Sequence, residues 1–468
     1  MEEAVRPRWN EFGVLLRRLL AAASLAALLL AASVAADTPD RAAMAAKADE
    51  YMQAQVKVND FSGAVLIARD GEVVLSRGYG LASREFGVPA TPQTKFRLGS
   101  LTKQFTAMAV IILQEQDKLS VTDSVCKYVP ECPEAWAPVT LHHLLTHTSG
   151  IPNFTSFPDY RSKMVLPSPP AETLARFRDK PLEFAPGERY TYSNSGYVLL
   201  GYIIEKVAGK SYHHFLRENI FQPLGMRDTG YDFTEVVLEN RAAGYRRASS
   251  GVLNAEYIDM TIPHAAGALY STVEDLFLWD RALAAGKLIS AASYEAMFTP
   301  ARNNYAYGWI VQTLAGRKVI AHGGGINGFF SRIMRFPETN SCVIVLSNIE
   351  GAPVDRIRLD LSAILFGETY ELPKARTAIE LDATILQRYP GRYQLAPTFV
   401  LTVTLEDGRL MMQATGQPKV ELFAESETKF FLRAVDAQIT IEVDEQGRAT
   451  GLILHQAGRD QRARRAVE

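Results

Sequence analysis

The feature that most constrains this chain is where its β-prone stretches lie. Two β-rich runs from Phe61 to Gly80 alternate around Arg69-Asp70-Gly71, and Asp-Gly is a strong hairpin turn. Strand-like runs then return only at Tyr307–Thr313, Lys318–Ala321, Phe329–Phe336 and Cys342–Leu346. Between them the period is helical. Phe105, Met108, Ile112 and Leu113 recur at helix spacing from Ser100 to Gln116, a second helix runs from Ser195 to Ala208 before Gly209, and a third from Asp275 to Ala285 before Gly286. A helix from Val354 to Phe366 closes the block. Sheet first, helices in the middle and antiparallel strands last require a sheet whose strands come from opposite ends of the chain. The expected class is α/β (α+β), a mixed antiparallel sheet flanked by helices.

After Leu372-Pro373-Lys374 the character changes. A linker with a short helix, 371–387, leads to Tyr389-Pro390-Gly391-Arg392-Tyr393, and short β-prone runs then alternate with turns such as Asp407-Gly408 and Gln446-Gly447 as far as Leu454. The stretch 388–468 reads as a small antiparallel β-barrel or sandwich. The basic tail Arg459 to Arg465 reads as a frayed, solvated end. A length of 468 residues allows about three domains, or one long domain and a small one.

At the other end, Arg17-Arg18 precede an apolar stretch from Leu19 to Ala32, and Ser33-Val34-Ala35 offers small residues where a signal peptidase cuts. Residues 1–36 are therefore expected to be a secretory signal, giving a secreted or periplasmic protein. The apolar run is short of the roughly 20 residues a spanning helix needs, so no stable membrane span is expected once the signal is removed. In an oxidising compartment Cys126 and Cys132, flanking Lys127 to Glu131, are either bridged or two free thiols; Cys342, within an apolar run, reads as a core residue.

Lys plus Arg number 50 against 52 Asp plus Glu, so no basic field attracts nucleic acid, and the expected partner is a small-molecule or peptide-like substrate. No G-x-S-x-G elbow and no H-E-x-x-H zinc helix occur. His143 and His147 have a ligand spacing but no accompanying third ligand, and read as structural. Gly323-Gly324-Gly325-Ile326-Asn327-Gly328 matches G-x-G-x-x-G, yet a strand follows it, so no helix N-terminus is there to hold a pyrophosphate. Neither a cofactor nor a metal is expected.

S-x-x-K occurs three times, at Ser100-Lys103, Ser124-Lys127 and Ser426-Lys429. A nucleophile three residues before a lysine shares a face with it only on a helix, and only Ser100 opens one. A serine hydroxyl needs a base, and a buried lysine supplies one because desolvation disfavours its ammonium form. Tyr192-Ser193-Asn194, on a loop entering a helix, offers a proton-relay partner. In His322-Gly323-Gly324-Gly325, glycines between two strands let a substrate backbone approach, and the Gly325 N–H can face an oxyanion.

In order and spacing, Ser100-Leu101-Thr102-Lys103, Tyr192-Ser193-Asn194 and His322-Gly323-Gly324 resemble the motifs of the serine β-lactamase and penicillin-binding-protein superfamily, in particular its class C-like branch of esterases and D-amino-acid-directed peptidases. Leu144-Leu145-Thr146-His147-Thr148-Ser149-Gly150 and Tyr197 to Gly201 are similar to it too. The resemblance implies a β-lactamase/transpeptidase-like fold over 37–370, with a helical lobe beside the sheet and the nucleophile in the cleft between them. It implies Ser100 as the acylated nucleophile, Lys103 and Tyr192 as the proton-transfer pair, Asn194 as an orienting group, and the N–H groups of Ser100 and Gly325 as the oxyanion hole, with His322 and Gly324 on the substrate-binding strand. The barrel resembles the lipocalin-like appendage of some members. His322 departs from the pattern, since β-lactam-directed members carry a cationic Lys there. The expected activity is therefore that of an exported serine hydrolase working through an acyl-enzyme on esters or amides. The alternatives are a β-lactamase or D,D-carboxypeptidase, and a non-catalytic binding or sensor protein that keeps the pocket.

Overall fold

The computed structural model describes residues 40–466 except 249, 250, 398, 418, 434–436, 457 and 458. The signal-like segment 1–36 lies outside the described residues. Among those described, no helix is long and apolar enough to cross a membrane.

Helix α1 (Arg41–Asn59) precedes the hairpin β1 (Gly63–Arg69) and β2 (Glu72–Tyr79), which turns on Asp70 and Gly71, both at positive φ. The central helix α2 (Thr102–Glu115), α3 (Asn194–Ala208) and α4 (Val273–Ala284) follow. Gly209 ends α3 in the left-handed conformation expected of a C-terminal glycine. Strands β3 (Ile310–Leu314), β4 (Arg317–Ile326), β5 (Phe329–Phe336) and β6 (Ser341–Ser347) then complete the sheet, and α5 (Val354–Phe366) packs on it.

The sheet order is β3-β4-β5-β6-β1-β2. The two ends of the block join where β1 pairs antiparallel with β6, from Gly63 opposite Ser347 to Ala68 opposite Cys342. Both strands are buried nearly throughout, which suits their unbroken apolar sequences and explains the buried Cys342. One face of the sheet joins the main core with α2, α3 and α4, while Val319, Ala321, Met334 and Phe336 turn to the other face and meet Leu359 and Phe366 of α5.

Strand β4 is longer than its apolar residues suggest, running through the glycines to Ile326, because β5 supplies backbone partners as far as Phe329. Helix α2 differs from its sequence pattern in another way. The spacing suggests one apolar stripe, yet every residue from Thr102 to Leu113 is buried, since the helix runs between the sheet and the helical lobe. Two of its buried polar side chains reach partners there: Gln104 Oε1 accepts the Trp279 indole N–H at 3.0 Å, and Thr106 Oγ1 donates to the Ala265 carbonyl at 2.7 Å. Cys126 and Cys132 are bridged.

The C-terminal strands form one nine-stranded antiparallel sheet: β7 (Gly391–Ala396), β8 (Phe399–Glu406), β9 (Arg409–Ala414), β10 (Lys419–Glu421), β11 (Phe423–Ala424), β12 (Lys429–Phe431), β13 (Ala437–Val443), β14 (Ala449–Gln456) and β15 (Arg459–Arg465). Its two edges, β10 and β11, are consecutive in the chain, so the sheet curls into a nearly closed barrel around Tyr393, Val403, Phe430, Ile439 and Leu452. The expectation of a frayed tail fails here. Strand β15 pairs with both β7 and β14, and Ala463 points into the core. Backbone pairing holds it, while Arg462 reaches Glu442 at 2.8 Å and Arg465 donates to the Pro390 carbonyl at 2.7 Å.

Candidate active site

The turn Gly99–Leu101 is a 3-10 turn leading into α2, and it carries Ser100. Gly99 has a φ of +52°, and a Cβ there would stand 2.9 Å from the Gly325 backbone. Strand β3 pairs with β4 only as far as Ala321, so beyond that point β4 has no strand partner on this side, and the Ser100 turn occupies the open edge. A Cβ on Gly324 would lie 1.9 Å from the Leu98 carbonyl oxygen and 3.0 Å from the Ser100 nitrogen. Glycine at both positions is what permits this approach. The Ser331 hydroxyl, donating to the same Leu98 carbonyl at 2.6 Å, fastens the turn to β5.

Ser100 Oγ receives the Tyr192 hydroxyl at 2.8 Å and lies 3.0 Å from Lys103 Nζ. Lys103 is wholly buried, and its Nζ also donates to Asn194 Oδ1 at 2.9 Å and to the Ala266 carbonyl at 2.8 Å. No carboxylate forms an ion pair with it among the described residues. Burial therefore holds its pKa well below the ordinary lysine value, and burial raises that of Tyr192. A neutral amine has two N–H bonds and one lone pair. Asn194 Oδ1 and Ala266 O only accept, so in the neutral form of Lys103 they take both N–H bonds and the lone pair faces the Ser100 hydroxyl.

The other two S-x-x-K matches are built differently. Ser124 caps a 3-10 turn through the Cys126 N–H, and Ser426 accepts from the Lys429 backbone N–H in a hairpin turn.

Asn194 starts α3 and is held on both sides. Its backbone N–H donates to Asn153 Oδ1 at 3.0 Å and its Nδ2 to Thr155 Oγ1 at 3.2 Å. His147, expected to be structural, lies against Tyr192 with ring centroids 4.2 Å apart, and its Nδ1 accepts the Ser193 N–H at 3.2 Å. Its carbonyl accepts the Thr191 N–H at 2.9 Å, so both neighbours of Tyr192 hang on this one residue.

His322 is buried beside Tyr305. Its Nδ1 lies 2.6 Å from the Gly323 carbonyl, an acceptor only, so Nδ1 carries the proton and Nε2 accepts the Tyr305 hydroxyl at 2.9 Å. Burial, aided by the nearby Lys103, lowers its pKa to about 3, so it is neutral. The two arginines of β5 are engaged: Arg332 is forked onto the Asp355 carboxylate and Arg335 is buried against Asp280.

Residues 48–367 match the family profile described as Beta-lactamase, and 375–465 match a domain of unknown function, DUF3471. The chain belongs to the serine β-lactamase and penicillin-binding-protein superfamily. It is 33% identical to penicillin-binding protein 4* of Bacillus subtilis over 86% of this chain and 95% of that protein. Among solved structures it is similar to the octameric penicillin-binding protein homologue of Pyrococcus abyssi, at 30% identity and a TM-score of 0.64, over 90% of this chain and 99% of that one. It is also similar to a D-stereospecific amidohydrolase from Streptomyces, at 27% identity and a TM-score of 0.60, over 71% of this chain and 100% of that one.

As a member of this superfamily the protein is a serine hydrolase with the β-lactamase/transpeptidase fold. The structure brings Ser100, Lys103, Tyr192, Asn194, Gly324 and Gly325 together and buries the His322 ring against Tyr305. Asn153, Thr155, Ala266 and Tyr305 escaped the sequence reading because each is an isolated residue of common type. His147 carried a signal in the segment Leu144 to Gly150, without its contact to Tyr192.

Proposed function

We propose that this chain is an exported serine hydrolase that is acylated at Ser100 by neutral esters or amides of small or peptide-like substrates. The observation that carries the reading is the placement of Ser100 Oγ 3.0 Å from Nζ of a wholly buried Lys103 and 2.8 Å from the hydroxyl of Tyr192. Lys103 takes the Ser100 proton as Oγ bonds to the substrate carbonyl carbon. The N–H groups of Ser100 and Gly325 receive the oxyanion. As the tetrahedral intermediate collapses, the alcohol or amine leaves with a proton from Tyr192, and the Lys103 ammonium returns a proton to the phenolate. Water then repeats the sequence on the acyl-enzyme, releasing the acid and restoring the Ser100 hydroxyl. Asn194 fixes the Lys103 amine.

The neutral His322 favours uncharged substrates over carboxylate-bearing β-lactams, for which a fixed cation at this position is an advantage. D-amino-acid amides and peptides form the second substrate class, supported by the likeness to a D-stereospecific amidohydrolase. The bridged Cys126–Cys132 pair supports an oxidising compartment, in line with a signal over 1–36. The proposed division is a catalytic unit 37–370, a linker 371–387 and the barrel 388–468.

The test is a panel of p-nitrophenyl esters, D-amino-acid amides and penicillins, with mass spectrometry of the intact protein. Acyl adducts on Ser100 with turnover of esters or D-amides are expected, and Ser100→Ala abolishes both while Ser124→Ala and Ser426→Ala leave them unchanged. Full hydrolysis by the Ser100 variant overturns the mechanism; adducts without turnover establish the binding-protein alternative.

A further inference from the structure

A second cavity, built from residues that take no part in the chemistry above, has a volume of about 590 Å³. That is within the range of sites for drug-sized ligands. Its apolar wall comprises Phe221, Met226, Tyr231, Phe233, Val236 and Leu238. The wall is pre-formed: the Tyr231 and Phe233 rings lie 4.8 Å apart, and His213 stands edge-on to Phe233 at 4.8 Å.

The polar groups on this cavity are mostly donors without protein partners. The guanidinium groups of Arg217 and Arg227 form no ion pair or hydrogen bond among the described residues, and the Tyr270 hydroxyl has no hydrogen-bond partner there either. The one lining carboxylate, Asp232, is buried and carries two guanidinium groups, Arg97 at 2.6 Å and Arg241 at 2.8 Å, so its charge is more than offset. Tyr231 is also engaged, its hydroxyl donating to the Met260 carbonyl at 2.9 Å. The turn Arg217–Phe221, which gives the cavity both a guanidinium and an aromatic ring, is π-helical, an irregularity found disproportionately at functional sites.

We infer that this cavity is an accessory binding site for a small aromatic carboxylate, whose ring lies against Phe221, Tyr231 and Phe233 and whose acid group meets Arg217, Arg227 and the Tyr270 hydroxyl. A neutral apolar ligand leaves three donors unused, and a cation is repelled by both arginines. An aromatic acid satisfies the wall and the donors together, with the guanidinium–carboxylate pairs supplying most of the selectivity.

The experiment uses the full chain and 3-phenylpropionate as probe, with binding read by calorimetry. Binding is expected in the wild type and equally in Ser100→Ala, with affinity lost by about tenfold or more in Arg217→Gln/Arg227→Gln, a loss of the size of one charged hydrogen bond. The neutral 3-phenylpropanamide is expected to bind more weakly than the acid by a similar factor. Both arginines are exposed, so an unchanged melting temperature shows that the double variant is folded. Affinity unchanged in the double variant, equal binding of acid and amide, or no binding tighter than about 10 mM each overturns the inference. So does competition with ester substrate at an inhibition constant equal to the calorimetric Kd, which places the probe in the Ser100 cleft instead.

Discussion

Replacing Lys103 by Met tests the proposed base directly. Met keeps an unbranched chain of similar length in a site with no exposure, so volume changes little. The variant loses the lone pair facing Ser100 and the two N–H bonds to Asn194 Oδ1 and the Ala266 carbonyl. Leaving those two acceptors unpaired costs about 1–3 kcal/mol each. Removing an amine from a fully buried position recovers part of that, so the melting temperature should move by only a few degrees. Loss of general-base catalysis should lower kcat/KM by about 10² to 10⁴, or roughly 3–5 kcal/mol of transition-state stabilisation. The pH profile separates this from a structural effect. Burial depresses the Lys103 pKa, so wild-type kcat/KM on a neutral ester should rise to a plateau well below pH 10.5, and the raised Tyr192 pKa should keep that plateau flat into alkaline solution. Steady-state hydrolysis of p-nitrophenyl acetate from pH 5 to pH 10 measures both. A folded Lys103→Met protein that loses less than about tenfold, or that retains the wild-type rising limb, refutes Lys103 as the base.

Four other outcomes are expected. In His322→Lys the ratio of penicillin acylation to ester hydrolysis should rise by about tenfold, as one ion-assisted contact predicts; an unchanged ratio shows that His322 does not set carboxylate preference. Acidification of the wild type should not reproduce that gain, because burial holds His322 near pKa 3. Acid should instead unfold the protein. His264 and His322 have folded pKa values of about 3 and His147 is well below its usual value, all through burial, so as pH falls through about 6.5 the unfolded chain binds protons that the native state refuses. Stability is then intact above about pH 6.5 and lost towards pH 3 at up to about 4 kcal/mol per pH unit, and a melting temperature constant between pH 7 and pH 5 would contradict this. A chain from Asp37 to Tyr370 should fold and keep Ser100 reactive towards a fluorophosphonate; a folded but unreactive product would place part of the cleft in the C-terminal barrel.

What the sequence determined alone was whatever depends on neighbours along the chain. Asp70-Gly71 specifies the first hairpin, Gly209 stops α3, and the apolar pattern from Val354 to Phe366 matches α5 residue for residue, because turn strain and helix period act over a few positions. The contrast among the three S-x-x-K matches belongs here too, since only Ser100 stands at the entry to a long α-helix. The tertiary structure decided everything that depends on which distant segments exclude water or supply a partner. Lys103 is desolvated only because the helical lobe and the sheet both cover α2, and its Nζ is held by Asn194 Oδ1 and the Ala266 carbonyl, which nothing local connects to it. The sequence shows His322 where related enzymes carry a fixed cation, and burial against Tyr305 keeps that ring neutral far into acid. Arg459–Arg465 reads as a solvated tail because its charges dominate its composition. Strand pairing needs only backbone groups and one inward side chain, and β7 and β14 left a place that Ala463 fits. Desolvation and long-range pairing are sums over segments far apart in the chain, so no window of sequence contains them.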